Sequence, residues 1–222
     1  MIASRLTPLQ RDLLEAFFQR ESRFFLTGGA ALAGYHLGHR ETADLDLFTT
    51  SDLLTSGQAA LQGAVAVLGA SIERLHTAPD FHRQLVRRGR DAVVVDLVHD
   101  RAPQGPQPKM GFGAIRVDPP DEILANKLCT LLSRAEIRDL VDVLALEKAG
   151  YRAEDALRLA MQKDGGLTPA QLAWVLSQIT LGEDARIPGG LAVEELRTFV
   201  ADLIARLTRL AFPVARPPNH PR

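Results

Sequence analysis

Two aspartates one residue apart, Asp44 and Asp46, lie in an otherwise apolar segment and constrain the fold more than any other feature of this chain. If the segment is a β-strand, successive side chains point to opposite faces of the sheet. Both carboxylates then project from one face, while Leu45 and Leu47 enter the core. Two carboxylates this close repel each other unless a cation lies between them. The spacing therefore predicts a strand that carries a cation-binding pair.

A pair of glycines precedes this strand and indicates a tight turn between a short strand and a helix. Arg23 to Thr27 is predicted to be the strand, Gly28 and Gly29 the turn, and Ala30 to Ala33 the start of a helix of small residues. A turn of this kind can bind a phosphate group. Together, the turn and the two aspartates favour metal-assisted chemistry on a nucleotide.

A third carboxylate, Asp96, lies within the nearly continuous apolar run from Val93 to Val98, which is typical of a central strand. A carboxylate in such a strand destabilises the fold unless a hydrogen-bonding partner or a metal compensates it. Three carboxylates on adjacent strands can hold two Mg²⁺ ions, and Mn²⁺ is an alternative. In that arrangement Asp46 bridges both ions, Asp44 completes the ion on the nucleotide, and Asp96 serves the ion at the nucleophile.

Composition and charge exclude several classes of protein. The 222 residues are 46% hydrophobic and can bury a sizeable core, while a formal net charge of -1 gives no global attraction to nucleic acid or membranes. A single cysteine, Cys129, excludes an internal disulfide and a multi-cysteine zinc site. No apolar run approaches the roughly 20 residues of a transmembrane helix, and the N-terminus lacks a signal-peptide pattern. We therefore expect a soluble, cytoplasmic protein without a membrane partner.

Positive charge is concentrated between Arg74 and Arg90, in a predicted β-hairpin. Its arms, Phe81 to Arg87 and Ala92 to Val98, flank a turn of suitable length that contains a glycine. Arginines are common on exposed strands, so a solvated face is the simpler interpretation of this cluster, which includes Arg83. An RNA-binding surface is the alternative.

The chain changes character near Asp118, which divides a mixed part from a helical part. Before this point a first helix is capped by Thr7, and a later one, through about Leu68, is expected to be capped by Ser51 or Asp52. A short strand is expected at 72–75, and 101–108 is predicted to be a loop. We expect an α/β N-terminal part that carries an α-helical C-terminal part, that is, an α/β (α+β) fold. The expected divisions are a catalytic domain at 1–117, a helical part at 118–215 and a flexible tail at 216–222.

Two segments, Leu26 to Ala33 and Gly38 to Phe48, together resemble the nucleotidyltransferase family that includes the AbiEii-type toxins, within the DNA polymerase β-like superfamily. The family pattern is a Gly-Gly or Gly-Ser turn, a short helix, Asp-hydrophobic-Asp and a later strand aspartate, and each element has a counterpart here. The segments from Asp121 to Leu128 and from Arg138 to Asp142 are similar to the helical lysine and Arg-Asp-x-x-Asp segments of that family. Ala30 departs from the pattern, because a Ser or Thr often follows the glycines.

The resemblance implies a small mixed sheet flanked by helices. It also implies transfer of a nucleoside monophosphate from an NTP to RNA, tRNA included, or to a protein hydroxyl. It also implies a prokaryotic toxin–antitoxin or phage-defence setting with a cognate antitoxin as partner. The implied catalytic and metal-binding residues are Asp44, Asp46 and Asp96; the implied nucleotide-binding residues are Thr27, Gly28, Gly29, Arg40 and Lys127; and the implied supporting residues are Arg138, Asp139 and Asp142.

Simpler structural interpretations exist for several of these residues. Lys127 lies at the edge of an apolar helical stripe and can extend to solvent from there. Arg138 and Asp142 are four residues apart on a helix and can pair with each other. His36 and His39 are more typical of surface or cap positions than of metal ligands.

Two other functions fit parts of the pattern. A non-catalytic nucleotide- or protein-binding module, such as an antitoxin or a regulatory partner, would keep the fold but work by association. A metal-dependent phosphohydrolase would share the acids but would usually add histidine ligands, for which His99 is the nearby candidate.

Overall fold

The computed structural model describes residues 5–213, which form one seven-stranded mixed sheet and the helices around it. The strands are β1 (Phe25–Thr27), β2 (Asp44–Thr49), β3 (Ser71–Ala78), β4 (Phe81–Arg88), β5 (Asp91–His99), β6 (Met110–Phe112) and β7 (Ile115–Val117). The α-helices are α1 (Pro8–Phe18), α2 (Gly28–Ala31), α3 (Leu54–Val67), α4 (Pro120–Ser133), α5 (Ile137–Lys148), α6 (Ala153–Lys163), α7 (Pro169–Ser177) and α8 (Val193–Ala211). A π-helical segment, Leu32–His36, continues α2, and a 3-10 helix spans Pro188–Gly190.

The predicted mixed sheet followed by helices is confirmed. The strands lie in the order β3-β4-β5-β2-β1-β7-β6. Strands β2 and β5 are parallel, as are β1 and β7, whereas the remaining neighbours are antiparallel. The two strands with acidic side chains, β2 and β5, are therefore direct neighbours near the middle of the sheet. The predicted tail at 216–222 lies outside the described residues, and the predicted boundary at residue 118 stays a prediction.

Strand β2 has the alternation that its sequence predicts. Leu45, Leu47 and Thr49 are buried, while Asp44 and Asp46 on the other face are partly exposed. Helices α1 and α3 pack against the face that receives the leucines. The opposite face carries the carboxylates, so the hydrophobic pattern alone fixes the direction in which the acids point.

Several boundaries differ from the sequence predictions. Thr7 does cap α1, because its side chain accepts a hydrogen bond from the backbone N–H of Gln10 at 3.2 Å. The prediction that Ser51 or Asp52 caps α3 is wrong, since the helix begins at Leu54 without a side-chain cap. Strand β3 is longer than predicted because it pairs with β4 over its whole length, and the short strand β6 was not predicted.

A buried cluster of charges joins the helical part to the segment that precedes β2. Asp142 on α5 accepts hydrogen bonds from the Arg40 guanidinium at 2.6 and 2.8 Å, and its Oδ2 lies 2.6 Å from Nζ of Lys127 on α4. Lys127 also donates to Asp139 at 2.7 Å. Burial opposes ionisation of Asp142, but Lys127, His39 and Arg40 hold its pKa well below the usual range. The cluster therefore holds α4 and α5 in a fixed position relative to the sheet.

Within residues 5–213, no helix is both long enough and apolar enough to cross a membrane.

Replacing Asp142 with asparagine should destabilise the protein by about 3–5 kcal/mol, because the buried Arg40 and Lys127 would lose a countercharge while the shape of the side chain is kept. The midpoint of urea denaturation, followed by circular dichroism, measures this loss. A matched control is Glu195→Gln, which removes the exposed ion pair between Lys148 on α5 and Glu195 on α8. The control should cost about 0–1 kcal/mol. Equal midpoints for the two variants would show that the buried cluster does not support the fold.

Candidate active site

One row of side chains crosses five neighbouring strands on the face opposite α1 and α3. Strand pairing places Thr27 opposite Asp46, Asp46 opposite Asp96, Asp96 opposite Arg83, and Arg83 opposite His76. Residues paired across strands point to the same face, so Asp46 and Asp96 project side by side from one face of two adjacent strands. The register thus brings together residues that are up to 69 positions apart, from Thr27 to Asp96.

Asp46 occupies the centre of this row and has an unfavourable charge environment. Burial, followed by repulsion from Asp96 and Asp44, raises the pKa of Asp46 to about 6, although Lys127 and Arg138 act in the opposite direction. The three predicted acids therefore interact electrostatically. A bound cation would relieve this repulsion more directly than a proton on one carboxyl.

Asp96 is paired with Arg83, which provides the compensation that a buried strand carboxylate needs. The Arg83 guanidinium donates to Oδ1 at 2.9 Å and to Oδ2 at 2.7 Å. The Asp96 side chain is only 6% exposed, whereas that of Arg83 is 46% exposed. Arg83 is thus exposed on the hairpin, as the solvated-face interpretation predicts, but it also lies in the row of the site.

Asp44 lies two residues from Asp46 on the same face, near the edge of the site. Its Oδ2 accepts a hydrogen bond from Nη1 of Arg138 at 3.3 Å, and Arg138 also pairs with Glu136 at 2.6 Å. The predicted pairing of Arg138 with Asp142 is wrong. Asp142 is directed to Arg40 and Lys127 instead, because the interior of the protein offers it two buried cations.

The glycine turn lies directly against this row. Gly28 has a φ of +64°, and a Cβ atom there would collide with Oδ2 of Asp46 and lie 3.2 Å from its Cγ. A Cβ atom on Gly29 would lie 2.7 Å from Nη2 of Arg40. Both positions are close approaches that require glycine, so the turn can lie against the carboxylate and the guanidinium at once.

Arg40 and Lys127 lie beneath the site, each held by a carboxylate. Arg40 is buried behind Gly29 and donates also to the carbonyl of Glu41 at 2.9 Å. The interpretation of Lys127 as a residue extended to solvent is wrong, since its side chain is buried between Asp139 and Asp142. His39 is not a surface cap either, because its Nε2 lies 2.7 Å from Oδ1 of Asp142.

Two adjoining cavities open at the row. A narrow polar cavity of about 100 Å³ contains all three acids, and a larger cavity of about 660 Å³ extends from Asp46 and Asp96 toward α4 and the end of α6. Arg83, Lys127 and Arg134 line both cavities. The apolar lining of the larger cavity includes Phe48, Phe81, Val98 and Ile123. The anionic part of a ligand would thus fit the polar cavity, and its apolar part would fit the larger cavity.

The acids suit a hard cation in their chemistry, although their present orientations do not converge. Among residues 5–213, no three or more His, Cys, Asp or Glu side chains are arranged as ligands of one ion. Asp44 and Asp96 are turned toward arginines, which explains this arrangement. Carboxylate oxygens are the ligands that Mg²⁺ and Mn²⁺ prefer, and the repulsion at Asp46 favours a cation. The donor set therefore fits a divalent ion once the arginines release it.

Arg83 and Arg134 line the site, although neither was predicted to do so. Arg134 follows α4 and donates to Asp139 at 3.2 Å. For Arg83 a signal was present, because Arg88 faces Asp91 across the hairpin turn, and counting outward from that pair places Arg83 opposite Asp96. For Arg134 no local pattern in the sequence indicates the position, which depends on how α4 and α5 pack.

The fold is similar to that of two solved structures. One is the crystal structure of JHP933 from Helicobacter pylori, with 22% identity, a TM-score of 0.57 and coverage of 91% of this chain and 90% of that chain. The other is the crystal structure of an H. pylori protein assigned as a nucleotidyltransferase, with 21% identity, a TM-score of 0.58 and coverage of 94% and 96%. A comparison with curated protein sequences finds no match.

A family model matches nearly the whole described chain. It is the model of the AbiEii nucleotidyl transferase toxin of type IV toxin–antitoxin systems, and it covers residues 12–213. The match includes the glycine turn, all three acids and the Asp139–Asp142 cluster, and it agrees with the resemblance seen in the sequence. The chain therefore belongs to the AbiEii family of nucleotidyltransferase toxins.

Proposed function

We propose that the protein is a Mg²⁺-dependent nucleotidyltransferase that moves a nucleoside monophosphate from an NTP to an RNA 3′ end, tRNA included, or to a protein hydroxyl. The single observation that supports this most strongly is the position of Asp46. It lies between Asp96 and the Gly28 turn, at the junction of a polar and a partly apolar cavity. A nucleotide needs both environments, with its phosphates beside the acids and its nucleoside in the larger space.

The three carboxylates would hold two Mg²⁺ ions, or Mn²⁺ in their place. Asp46 would be shared by both ions, Asp44 would help to hold the ion on the triphosphate, and Asp96 would help to hold the ion that activates the attacking hydroxyl. When bound, the ions would neutralise the triphosphate and lower the pKa of that hydroxyl. The chain itself needs no covalent nucleophile, because positioning and charge neutralisation carry most of phosphoryl-transfer chemistry.

The glycine turn and the cations around it would bind the phosphates. Thr27, Gly28 and Gly29 would lie along the triphosphate, since the absence of side chains on the glycines leaves Asp46 accessible. Lys127 and Arg40 would supply positive charge from beneath. Their carboxylate partners on α5 would keep these cations in place, which is the supporting role that we assign to Asp139 and Asp142.

Arg138 would support the site from its edge, where it contacts Asp44. We further propose that the protein acts in the cytoplasm as the toxin component, with a cognate antitoxin as partner. In this proposal the α/β catalytic domain, which carries the three acids, ends near residue 117, and Lys127 reaches the site from the helical part. The family to which the chain belongs supports the toxin role.

Loss of the paired acids should abolish transfer. The assay combines each α-labelled NTP with Mg²⁺ and a mixed pool of cellular RNA and protein, and compares the natural protein with an Asp44→Ala/Asp46→Ala variant. Loss of a residue that only orients a metal ligand already costs about 10–100-fold in metal affinity or activity, so removal of two ligands should lower the rate by more than about a hundredfold. The labelled molecule identifies the acceptor class, and the required NTP identifies the base preference.

Asp52→Ala is the control for this variant, because Asp52 is exposed and lies just after the same strand. It should transfer label at the natural rate. Absence of metal-dependent label with every NTP, from a folded natural protein, would contradict the proposal and favour a non-catalytic binding module. Release of free nucleotide without an acceptor would favour a phosphohydrolase.

Gly28→Ala should lower transfer by at least about a hundredfold, because the added Cβ would displace the Asp46 carboxylate. Its control is Gly113→Ala. Gly113 has nearly the same φ, +63°, but has no atom within 4 Å of an added Cβ. Both variants carry the backbone strain of a left-handed residue, about 1–3 kcal/mol. Steady-state transfer rates and thermal unfolding of the pair separate strain from collision, and an equal loss of transfer in both would contradict the role of Gly28.

A further inference from the structure

We propose that Arg83 has two alternating roles. As a guard residue it binds the Asp96 carboxylate and keeps metal away from it while no nucleotide is present. When the nucleotide and metal bind, Arg83 leaves Asp96 and binds a phosphate group instead. This inference rests on the proposed function for the identity of the anion. It goes beyond that function in assigning two alternating partners to one side chain.

The first argument is the way in which Arg83 covers Asp96. The guanidinium donates to both carboxylate oxygens, at 2.9 and 2.7 Å, in the bidentate geometry that gives strong charge-assisted bonds. A divalent ion would need these same oxygens and would meet the positive charge of Arg83 at close range. Asp96 cannot ligate an ion well while this contact persists.

The second argument concerns which partner can move. Asp96 is buried in β5 between Val95 and Leu97, whose side chains lie in the core. The Arg83 side chain on β4 is much more exposed, and its guanidinium lies at the end of a long, flexible chain. Its guanidinium also lies 5.4 Å from the centroid of the Phe81 ring, which offers a favourable cation–π surface in the same cavity. Release of the pair therefore moves Arg83 rather than the carboxylate.

The third argument is the destination. Arg83 lines both the polar cavity and the larger cavity, so it stays within the site after it leaves Asp96. A phosphate group there would accept the same two-pronged donation that the carboxylate accepts. A phosphate of the nucleotide would replace Asp96 as the partner of Arg83, and the metal would replace Arg83 as the partner of Asp96. Binding of metal and of nucleotide should therefore each strengthen the other.

Arg138 does not make an equivalent guard. Its contact with Asp44 is a single bond at 3.3 Å, and Glu136 holds it at 2.6 Å. Of these two arginines, only Arg83 must break a two-bond ion pair to release its carboxylate.

The test measures Mn²⁺ binding to the nucleotide-free protein, by the loss of the electron paramagnetic resonance signal of free Mn²⁺. Arg83→Gln should bind Mn²⁺ at least about fivefold more tightly than the natural protein, because the competing cation is gone. The same variant should show a KM for the NTP that is at least about fivefold higher. The matched control is Arg87→Gln, four residues along the same strand on the same face and exposed, which should leave Mn²⁺ affinity unchanged.

Thermal unfolding provides a second measurement. Removal of Arg83 leaves Asp96 buried without a cation, so Arg83→Gln should unfold at a lower temperature in EDTA and regain stability with Mn²⁺ more strongly than the natural protein. If Arg83→Gln does not fold, Arg83→Lys keeps the charge without the two-pronged geometry and should give a smaller gain in Mn²⁺ affinity.

Mn²⁺ affinity that is equal in the natural protein and in the folded Arg83 variant would overturn the guard role, even if nucleotide transfer is observed. Tighter Mn²⁺ binding with an unchanged KM would overturn the transfer of Arg83 to phosphate. A natural protein that transfers no nucleotide, combined with tighter Mn²⁺ binding by Arg83→Gln, would remove the proposed function while leaving the competition for Asp96 in place.

Discussion

The parallel pairing of β2 with β5 is the constraint on which the rest of the site depends. It places Asp46 beside Asp96 in the middle of a sheet, where the two carboxylates repel each other. The surrounding cations partly offset this repulsion. Arg83 contacts Asp96, Arg138 contacts Asp44, and Lys127 acts on Asp46 from beneath. A functional site is where such electrostatic strain is expected, because a metal-bound ligand can relieve it.

The charges are arranged in layers, which explains how a nearly neutral chain can concentrate so many of them. Asp139 and Asp142 form the deepest layer, Lys127 and Arg40 lie above them, and the acids of the sheet face the cavities. Each layer neutralises the next, so no buried cation or carboxylate in this group lacks a countercharge. The deepest layer lies on the helical part, and for this reason the helices are integral to the site and not an appendage to it.

The sequence predicts those features of the site that depend on local periodicity. Alternation in β2 indicates the face on which Asp44 and Asp46 lie, and the apolar run around Asp96 indicates a central strand. The hairpin turn even contains the information that pairs Arg83 with Asp96. The contacts of Asp142 are different, because its partner Arg40 is 102 residues away and the choice between Arg138 and Arg40 depends on helix packing. Local spacing favours the nearer arginine, and burial selects the farther one.

The outermost strand next to the site, β3, has a further consequence for the behaviour of the protein in solution. Edge strands expose unpaired backbone groups that can recruit a strand from another molecule. Here β3 is exposed along most of its length, but it carries Glu73, Arg74 and His76 and has a bulge between the last two. The opposite edge, β6, has only three residues. Both edges therefore resist strand addition, even though the row of candidate site residues ends at His76 on the exposed strand β3.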